Sequence, residues 1–180
     1  MQGQVQAVSI NPVHGFSKQP VPSIRCLQGL GVDGDAHCGE TVRHRSRVAA
    51  DPTQPNLRQV HLLAMELLDE LNQQGFGLAP GSLGENITLS GLDLLSLPRD
   101  SRLRFTAGPC LRITGLRNPC AQIESFRTGL LRHVAVKDAS GQLVRRAGVM
   151  AVVDAGGVIR PGDRCQVELP ELPHHPLERV

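Results

Sequence analysis

The chain has 180 residues, with 19 basic and 17 acidic side chains and a formal net charge of +2, so it lacks the concentrated basic face of a typical nucleic-acid-binding protein. Tyr and Trp are absent and only 4 Phe are present, which excludes an aromatic platform for single strands. The 5 cysteines form no closely spaced pairs, and no signal-peptide pattern opens the chain. No apolar run reaches the roughly 20 residues of a membrane span. We therefore expect a cytoplasmic protein without a membrane or nucleic-acid partner.

The length fits one domain over residues 1–180, and 19 Gly with 13 Pro indicate many turns. Short strand-like segments recur along the chain, each bounded by turn residues. The predicted strands are 4–10, 24–30, 86–89, 92–97, 103–105, 110–116, 147–153 and 164–169. This spacing predicts a mostly β protein with a few helices, arranged as a β-barrel decorated by helices.

The longest predicted helix covers Leu57 to Gln74, where apolar residues recur at helical spacing and Gly75 follows as a candidate C-cap. A shorter helix and turn are predicted over Ala121 to Arg132. The final segment, 170–180, carries three prolines, so we expect it to be extended along the surface or frayed.

Cys120 is the first candidate for chemistry, because it follows a predicted strand and the dipeptide Asn118-Pro119. A thiolate there could ligate a soft metal, act as a nucleophile or carry a persulfide. The alternative is a small buried apolar residue, which describes most free cysteines. No second cysteine stands at C-x-x-C spacing, which argues against a structural zinc site.

Asp35 and His37 lie in a glycine-rich segment and are separated by one residue. In an extended chain they point to the same side and could form a general base or half of a metal site. The alternative, which the residue pattern favours, is that Asp35 caps a turn and His37 is a solvated or hydrogen-bonded loop residue. Asn86, which follows Gly84-Glu85, could bind the edge of a heterocycle or its own backbone.

The strongest basic concentration is the run 43–47, with Lys18 and Arg58 elsewhere in the chain. These side chains could hold a phosphate or carboxylate, or simply form a solvated loop. The chain contains neither a P-loop pattern nor a strand-linked G-x-G-x-x-G, so any bound anion is not cradled as in a kinase or a dehydrogenase.

Six segments, taken in chain order, carry a resemblance that extends over nearly the whole chain. They are Lys18, Gly31 to His37, Arg58 to His61, Gly84 to Ile87, Arg117 to Cys120 and Gly156 to Asp163. The chain therefore resembles a MOSC domain, found at the C-terminus of molybdenum cofactor sulfurases, in amidoxime-reducing components, and alone in bacteria. The resemblance implies a β-barrel of the MOSC type and a pterin-based molybdenum cofactor (Mo-molybdopterin).

The resemblance also implies roles for individual residues. Cys120 matches the family cysteine that ligates molybdenum in the reducing enzymes and is proposed to carry sulfur in others. The remaining assignments place Lys18, Arg45 and Arg58 at the cofactor phosphate, and Asn86, Arg117 and Asn118 along the pterin or molybdenum side.

The leading hypothesis is a molybdenum-dependent enzyme that reduces N-hydroxylated (N–O) compounds, with Cys120 on the metal and Asp35 or His37 relaying protons. Electrons would come from a separate electron-donor protein, since the chain shows no flavin, haem or iron–sulfur motif. The alternative is a sulfur carrier with a Cys120 persulfide, supplied by a separate cysteine desulfurase because the chain has no desulfurase domain. A third reading is a non-catalytic module that binds the cofactor.

Overall fold

The computed structural model describes residues 1–43 and 45–180, without the side chains of residues 45–47. The strands are β1 Gln2–Ile10, β2 Gln19–Val21, β3 Ile24–Leu27, β4 Gly31–Val32, β5 Val60–Ala64, β6 Ile87–Ser90, β7 Arg102–Phe105, β8 Cys110–Leu116, β9 Ala135–Lys137, β10 Leu143–Arg145, β11 Val149–Ala155, β12 Gly157–Ile159 and β13 Arg164–Glu168. The helices are α1 Arg45–Ala50, α2 Met65–Gln73, α3 Ala121–Phe126 and α4 Leu131–Val134, with a 3₁₀ turn at Leu94–Ser96.

Seven strands close into a barrel, as the sequence predicted. Their order is β13, β7, β8, β11, β5, β6 and β1, and β13 pairs back with β1 through Gln2 and Gln166. All neighbours are antiparallel except β5 and β6, which are parallel, so the barrel is mixed. Closure leaves these strands no free edges, and β2 adds outside the ring to the end of β1.

Strand alternation separates two cores. In β5, Val60 and Leu62 point into the barrel, whereas Leu63 faces outwards and packs with Leu68 and Leu71 of α2. The inner core fills the barrel, and the outer core lies between β5 and the helices. His61, the remaining buried residue of this strand, also faces outwards, which brings it towards the functional residues described below.

The predicted helix over Leu57 to Gln74 is wrong in its first half. Residues 57–59 are irregular and Val60–Ala64 is a barrel strand, so the helix begins at Met65. The run from Val60 to Ala64 matches a helical period and a fully buried strand equally well, and pairing with β6 and β11 decides for the strand. Even α2, with 9 residues, is too short to span a bilayer, and this holds for every helix in the described part of the chain.

The predicted strand 92–97 is also wrong, because Asp93 accepts a hydrogen bond from Leu95 N at 3.2 Å and starts a 3₁₀ turn. This turn directs Leu92, Leu94 and Leu97 into the inner core. In the C-terminal segment, which we expected to be extended along the surface or frayed, Glu178 O accepts a hydrogen bond from Leu116 N at 2.7 Å.

Candidate functional site

A cavity of about 580 Å³ opens beside the barrel, where β1 and β8 end and β6 begins. It brings together residues that are far apart in the chain. Its lining includes seven of the predicted site residues: Lys18, His37, Arg58, Asn86, Arg117, Asn118 and Cys120. Asp35 is buried behind this lining, and the predicted role of Arg45 concerns a side chain outside the described residues.

The described part of the lining is strongly cationic. It contains no Asp or Glu, whereas Lys18, Arg43, Arg58, Arg117 and Arg179 all contribute to it. Cationic side chains that face a cavity without interleaved carboxylates favour an anionic ligand. The arrangement therefore suits a molecule that carries phosphate or carboxylate.

Cys120 lies where the sequence predicted, four residues after the end of β8 and directly before α3. Its thiol is half-buried, and the hydrogen bond described for it goes to Gln122 Oε1 at 3.7 Å. By contrast Cys26, Cys110 and Cys165 are buried, and burial raises the pKa of each thiol, for Cys26 to about 12 and for Cys165 to about 11. Among the residues described for the cavity lining, Cys120 is the one cysteine.

Asp35 connects three segments around the cavity. Its Oδ2 accepts from the Lys18 ammonium group, from Asn86 Nδ2 at 3.1 Å and from Asn11 N at 3.2 Å. Its Oδ1 accepts from His37 N at 3.0 Å and lies 3.2 Å from His37 Nδ1. The predicted Asp35 and His37 pair is thus brought together, with Asp35 orienting the imidazole.

These contacts set the ionisation of the buried pair. Burial opposes the charge of Asp35, but the hydrogen bonds from His37 and the charge of Lys18 outweigh it and hold the pKa of Asp35 well below its usual range. Burial lowers the pKa of Lys18, and Asp35 offsets part of that effect. Lys18 therefore reaches the cavity with its charge already paired.

Lys18 is positioned by the turn before β6. Lys18 N donates to Gly81 O at 2.8 Å, and a Cβ at position 81 would lie 2.4 Å from Lys18 O. Because Gly81 also has a φ of +86°, only glycine allows this approach without strain. The buried Glu85 carboxyl group accepts from Gly81 N at 2.6 Å and from Leu83 N at 3.1 Å, so Glu85 organises the turn.

The Asn86 amide is engaged with protein on both sides. Its Nδ2 donates to Asp35 Oδ2 at 3.1 Å and to Ser9 O at 3.2 Å, and its Oδ1 accepts from His61 N at 3.1 Å. These bonds use both amide donors. The geometry makes Asn86 a residue that holds β1, β5 and the 35–37 segment together beside the cavity.

Arg117 combines burial with an unused donor. Its Nη1 is buried, with no hydrogen-bond partner among the described residues, and its Cζ lies 5.6 Å from the centre of the Phe16 ring. Burial lowers the pKa of Arg117, and the neighbouring Cys120 and Glu85 oppose that shift. A buried guanidinium donor without a partner costs free energy, so it marks a place for an acceptor brought by a ligand.

Several cavity residues were not singled out from the sequence. His61 ends the 58–61 segment of the resemblance but received no role, because it fell in the incorrect helix assignment. Strand alternation in the Val-His-Leu-Leu-Ala run was the signal that could have revealed its position. Its Nε2 lies 2.8 Å from Ala147 O, and burial lowers its pKa well below the usual value, so it is a neutral donor. Arg179 comes from the C-terminal segment, where no local pattern pointed to the cavity.

The residues present fit a pterin-based molybdenum cofactor. Arg117 Nη1, which has no partner among the described residues, and the surrounding arginines suit its phosphate, and one thiol suits a metal whose other sulfur ligands come from the cofactor. Within residues 1–43 and 45–180, no group of three or more His, Cys, Asp or Glu could hold a metal ion by itself.

Solved structures share this fold. The YuaD protein from Bacillus subtilis is 26% identical with a TM-score of 0.76, covering 95% of this chain and 98% of that one. YiiM from Geobacillus stearothermophilus is 17% identical with a TM-score of 0.67, covering 97% and 79%. YiiM from Escherichia coli is 16% identical with a TM-score of 0.60, covering 95% and 71%. The two YiiM proteins show the fold alone.

No curated protein matches the chain. The model of the MOSC domain matches residues 34–166, which is most of the chain and includes every barrel strand except β1 and the last two residues of β13. The chain therefore belongs to the MOSC domain family, which is associated with binding of the molybdenum cofactor.

Proposed function

We propose that the protein binds a pterin-based molybdenum cofactor in the cavity and reduces N-hydroxylated compounds, with Cys120 as the protein ligand of the metal. One observation carries the proposal: the Cys120 thiol shares a cationic cavity with Arg117, whose buried Nη1 lacks a partner among the described residues. A thiol and a guanidinium donor in one cavity match the two different ends of such a cofactor, its metal and its phosphate.

In this proposal Arg58 holds the phosphate, as the resemblance implies, and Arg117, which the resemblance placed along the pterin or molybdenum side, joins it there. Cys120 holds the metal, and Asn86 keeps the surrounding segments in register. When bound, the cofactor supplies the two-electron reduction of the N–O bond. The chain supplies the thiol ligand of the metal, orients the cofactor and surrounds it with cationic side chains. Lys18 contributes to the site through its ion pair with Asp35, because the Asp35 carboxylate already compensates the charge of the Lys18 ammonium group.

Reduction of an N–OH group breaks the N–O bond, consumes two electrons and two protons, and yields an N–H group and water. The electrons come from a separate electron-donor protein. His37 faces the cavity and is oriented by Asp35 through Nδ1, which suits it to deliver a proton to the departing oxygen. Asp35 does not contact the cavity in this scheme and acts by positioning His37.

The test is elemental analysis for molybdenum, with fluorescence of the oxidised pterin, on protein from a host that makes the cofactor. We expect both signals in the native protein and loss of molybdenum in Cys120→Ser. Cys38→Ser is the matched control, because Cys38 is the other half-buried cysteine and lies outside the described lining. Equal molybdenum content in native protein and Cys120→Ser would overturn the assignment of Cys120. Reduction of benzamidoxime with reduced viologen then tests the reaction.

A second candidate is a sulfur carrier, favoured by the partial exposure of Cys120 and the lack of a complete protein metal site in the described residues. An accessible thiol can receive a persulfide sulfur from a cysteine desulfurase. Incubation with a desulfurase and cysteine would then give cyanide-releasable sulfur on native protein but not on Cys120→Ser. This result, without molybdenum or pterin, would replace the reductase proposal.

A further inference from the structure

The C-terminal segment 175–180 runs beside the end of β8. Leu116 N donates to Glu178 O at 2.7 Å, Val180 N donates to Leu116 O at 3.3 Å, and Leu116 and Arg179 form a parallel bridge. Further back, Arg99 N donates to His175 O at 2.8 Å. The segment is therefore attached by backbone hydrogen bonds at both of its ends.

Gly115 makes room for this attachment. A Cβ at position 115 would lie 2.4 Å from Glu178 O and 2.6 Å from Val180 Cγ1, distances that real Cβ atoms do not adopt. The backbone of Gly115 is not in the left-handed region, so steric closeness, and not conformation, requires glycine here. The missing side chain at Gly115 of β8 thus leaves the space that residues 178–180 occupy.

This attachment brings Arg179 to the cavity. Its side chain is exposed at the mouth, whereas Arg117, one residue beyond its bridge partner Leu116, presents a buried donor deeper in the same cavity. In the described part of the chain, neither guanidinium forms an ion pair with a carboxylate. The cavity therefore has an inner and an outer cationic group on neighbouring backbone positions.

We propose that Arg179 is a specificity-determining residue that binds a carboxylate or phosphate group of the exchangeable substrate. The inference rests on the proposed function, in which the retained cofactor occupies the buried donors. A ligand that enters and leaves meets the exposed mouth, where Arg179 lies. A guanidinium can donate two parallel hydrogen bonds to two oxygens of a carboxylate or phosphate group, so acidic N-hydroxylated substrates are preferred to neutral ones of the same shape.

The test is calorimetric binding of benzamidoxime and para-carboxybenzamidoxime to the molybdenum-loaded protein, without an electron donor. We expect native protein to bind the acid about tenfold more tightly than the neutral compound, a difference of about 1.4 kcal/mol. Arg179→Gln should bind both compounds equally, and Arg179→Lys should recover part of the preference. Arg160→Gln, which removes an exposed arginine outside the described lining, should behave as native protein.

Gly115→Ala gives an independent check, because its Cβ would displace residues 178–180. We expect it to lose the preference for the acid while retaining molybdenum. An unchanged preference in Arg179→Gln, or no preference in native protein, would overturn the inference. So would loss of molybdenum and pterin in Arg179→Gln, since Arg179 would then belong to the cofactor site. Failure of the proposed function appears separately, as native protein that lacks molybdenum and does not reduce benzamidoxime.

Discussion

The ammonium group of Lys18 and the carboxylate of Asp35 form an ion pair in which the side chains are 5% and 1% exposed. The pair joins the loop after β1 to the segment after β4, and Asn86 connects both to the start of β6. A buried pair of this kind cannot be broken on one side without leaving the other charge uncompensated. The pair therefore holds together the segments that shape the cavity.

We predict that Lys18→Met and Asp35→Asn each lower the free energy of unfolding by about 3 kcal/mol, because each leaves a buried charge without its partner. The double variant should lose clearly less than the sum of the two, since neither charge then remains. Urea denaturation of the native protein and the three variants provides the measurement. Arg104→Met, which breaks an exposed ion pair with Glu168, is the control and should have a much smaller effect. Strict additivity of the single changes would contradict the coupling.

The stabilising effect of Asp35 should depend on pH. Hydrogen bonds from His37 and the charge of Lys18 outweigh burial and keep its pKa below the unfolded value, so the folded state holds fewer protons. Its contribution is complete above the unfolded pKa, about 4, and is lost as the pH falls towards the lower folded pKa. The difference in unfolding free energy between native protein and Asp35→Asn should therefore shrink below about pH 4. A difference that stays constant from roughly pH 7 to pH 3 would count against this account.

We expect Arg117 to lower the stability of the cofactor-free protein and to strengthen cofactor binding. Its buried Nη1 has no partner among the described residues, and burial lowers its pKa despite the opposing effects of Cys120 and Glu85. We expect Arg117→Met to raise the unfolding free energy of the cofactor-free protein by about 1 kcal/mol, because an unsatisfied buried donor is removed. The same variant should retain less pterin and molybdenum after purification.

Urea denaturation of metal-free protein, combined with pterin fluorescence of the loaded form, measures both effects. Arg127→Met is the matched control, because Arg127 is exposed and outside the described lining, and it should change neither quantity. Lower stability of Arg117→Met with unchanged pterin content would show that Arg117 serves the fold and not the ligand.

Local sequence patterns predicted much of the barrel. Short apolar runs such as Cys110 to Leu116, bounded by Gly108-Pro109 and Asn118-Pro119, are strands in the structure, and Cys120 lies directly beyond one of them. The sequence left open whether Asp35 and His37 form a functional pair or a turn cap beside a loop residue. In the structure Asp35 Oδ1 accepts a hydrogen bond from His37 N, a contact that needs only local geometry.

What the sequence by itself determined were therefore the barrel class, most of its strands and the position of Cys120, since these depend on period and neighbouring turn residues. Tertiary structure alone decided that Val60–Ala64 is a strand, because its apolar residues suit either state until β6 and β11 pair with it. Tertiary structure alone also paired Lys18 with Asp35 and placed Arg179 and Cys120 in the lining of one cavity. Contacts between residues so far apart in the chain arise only when the barrel closes, so no local pattern records them.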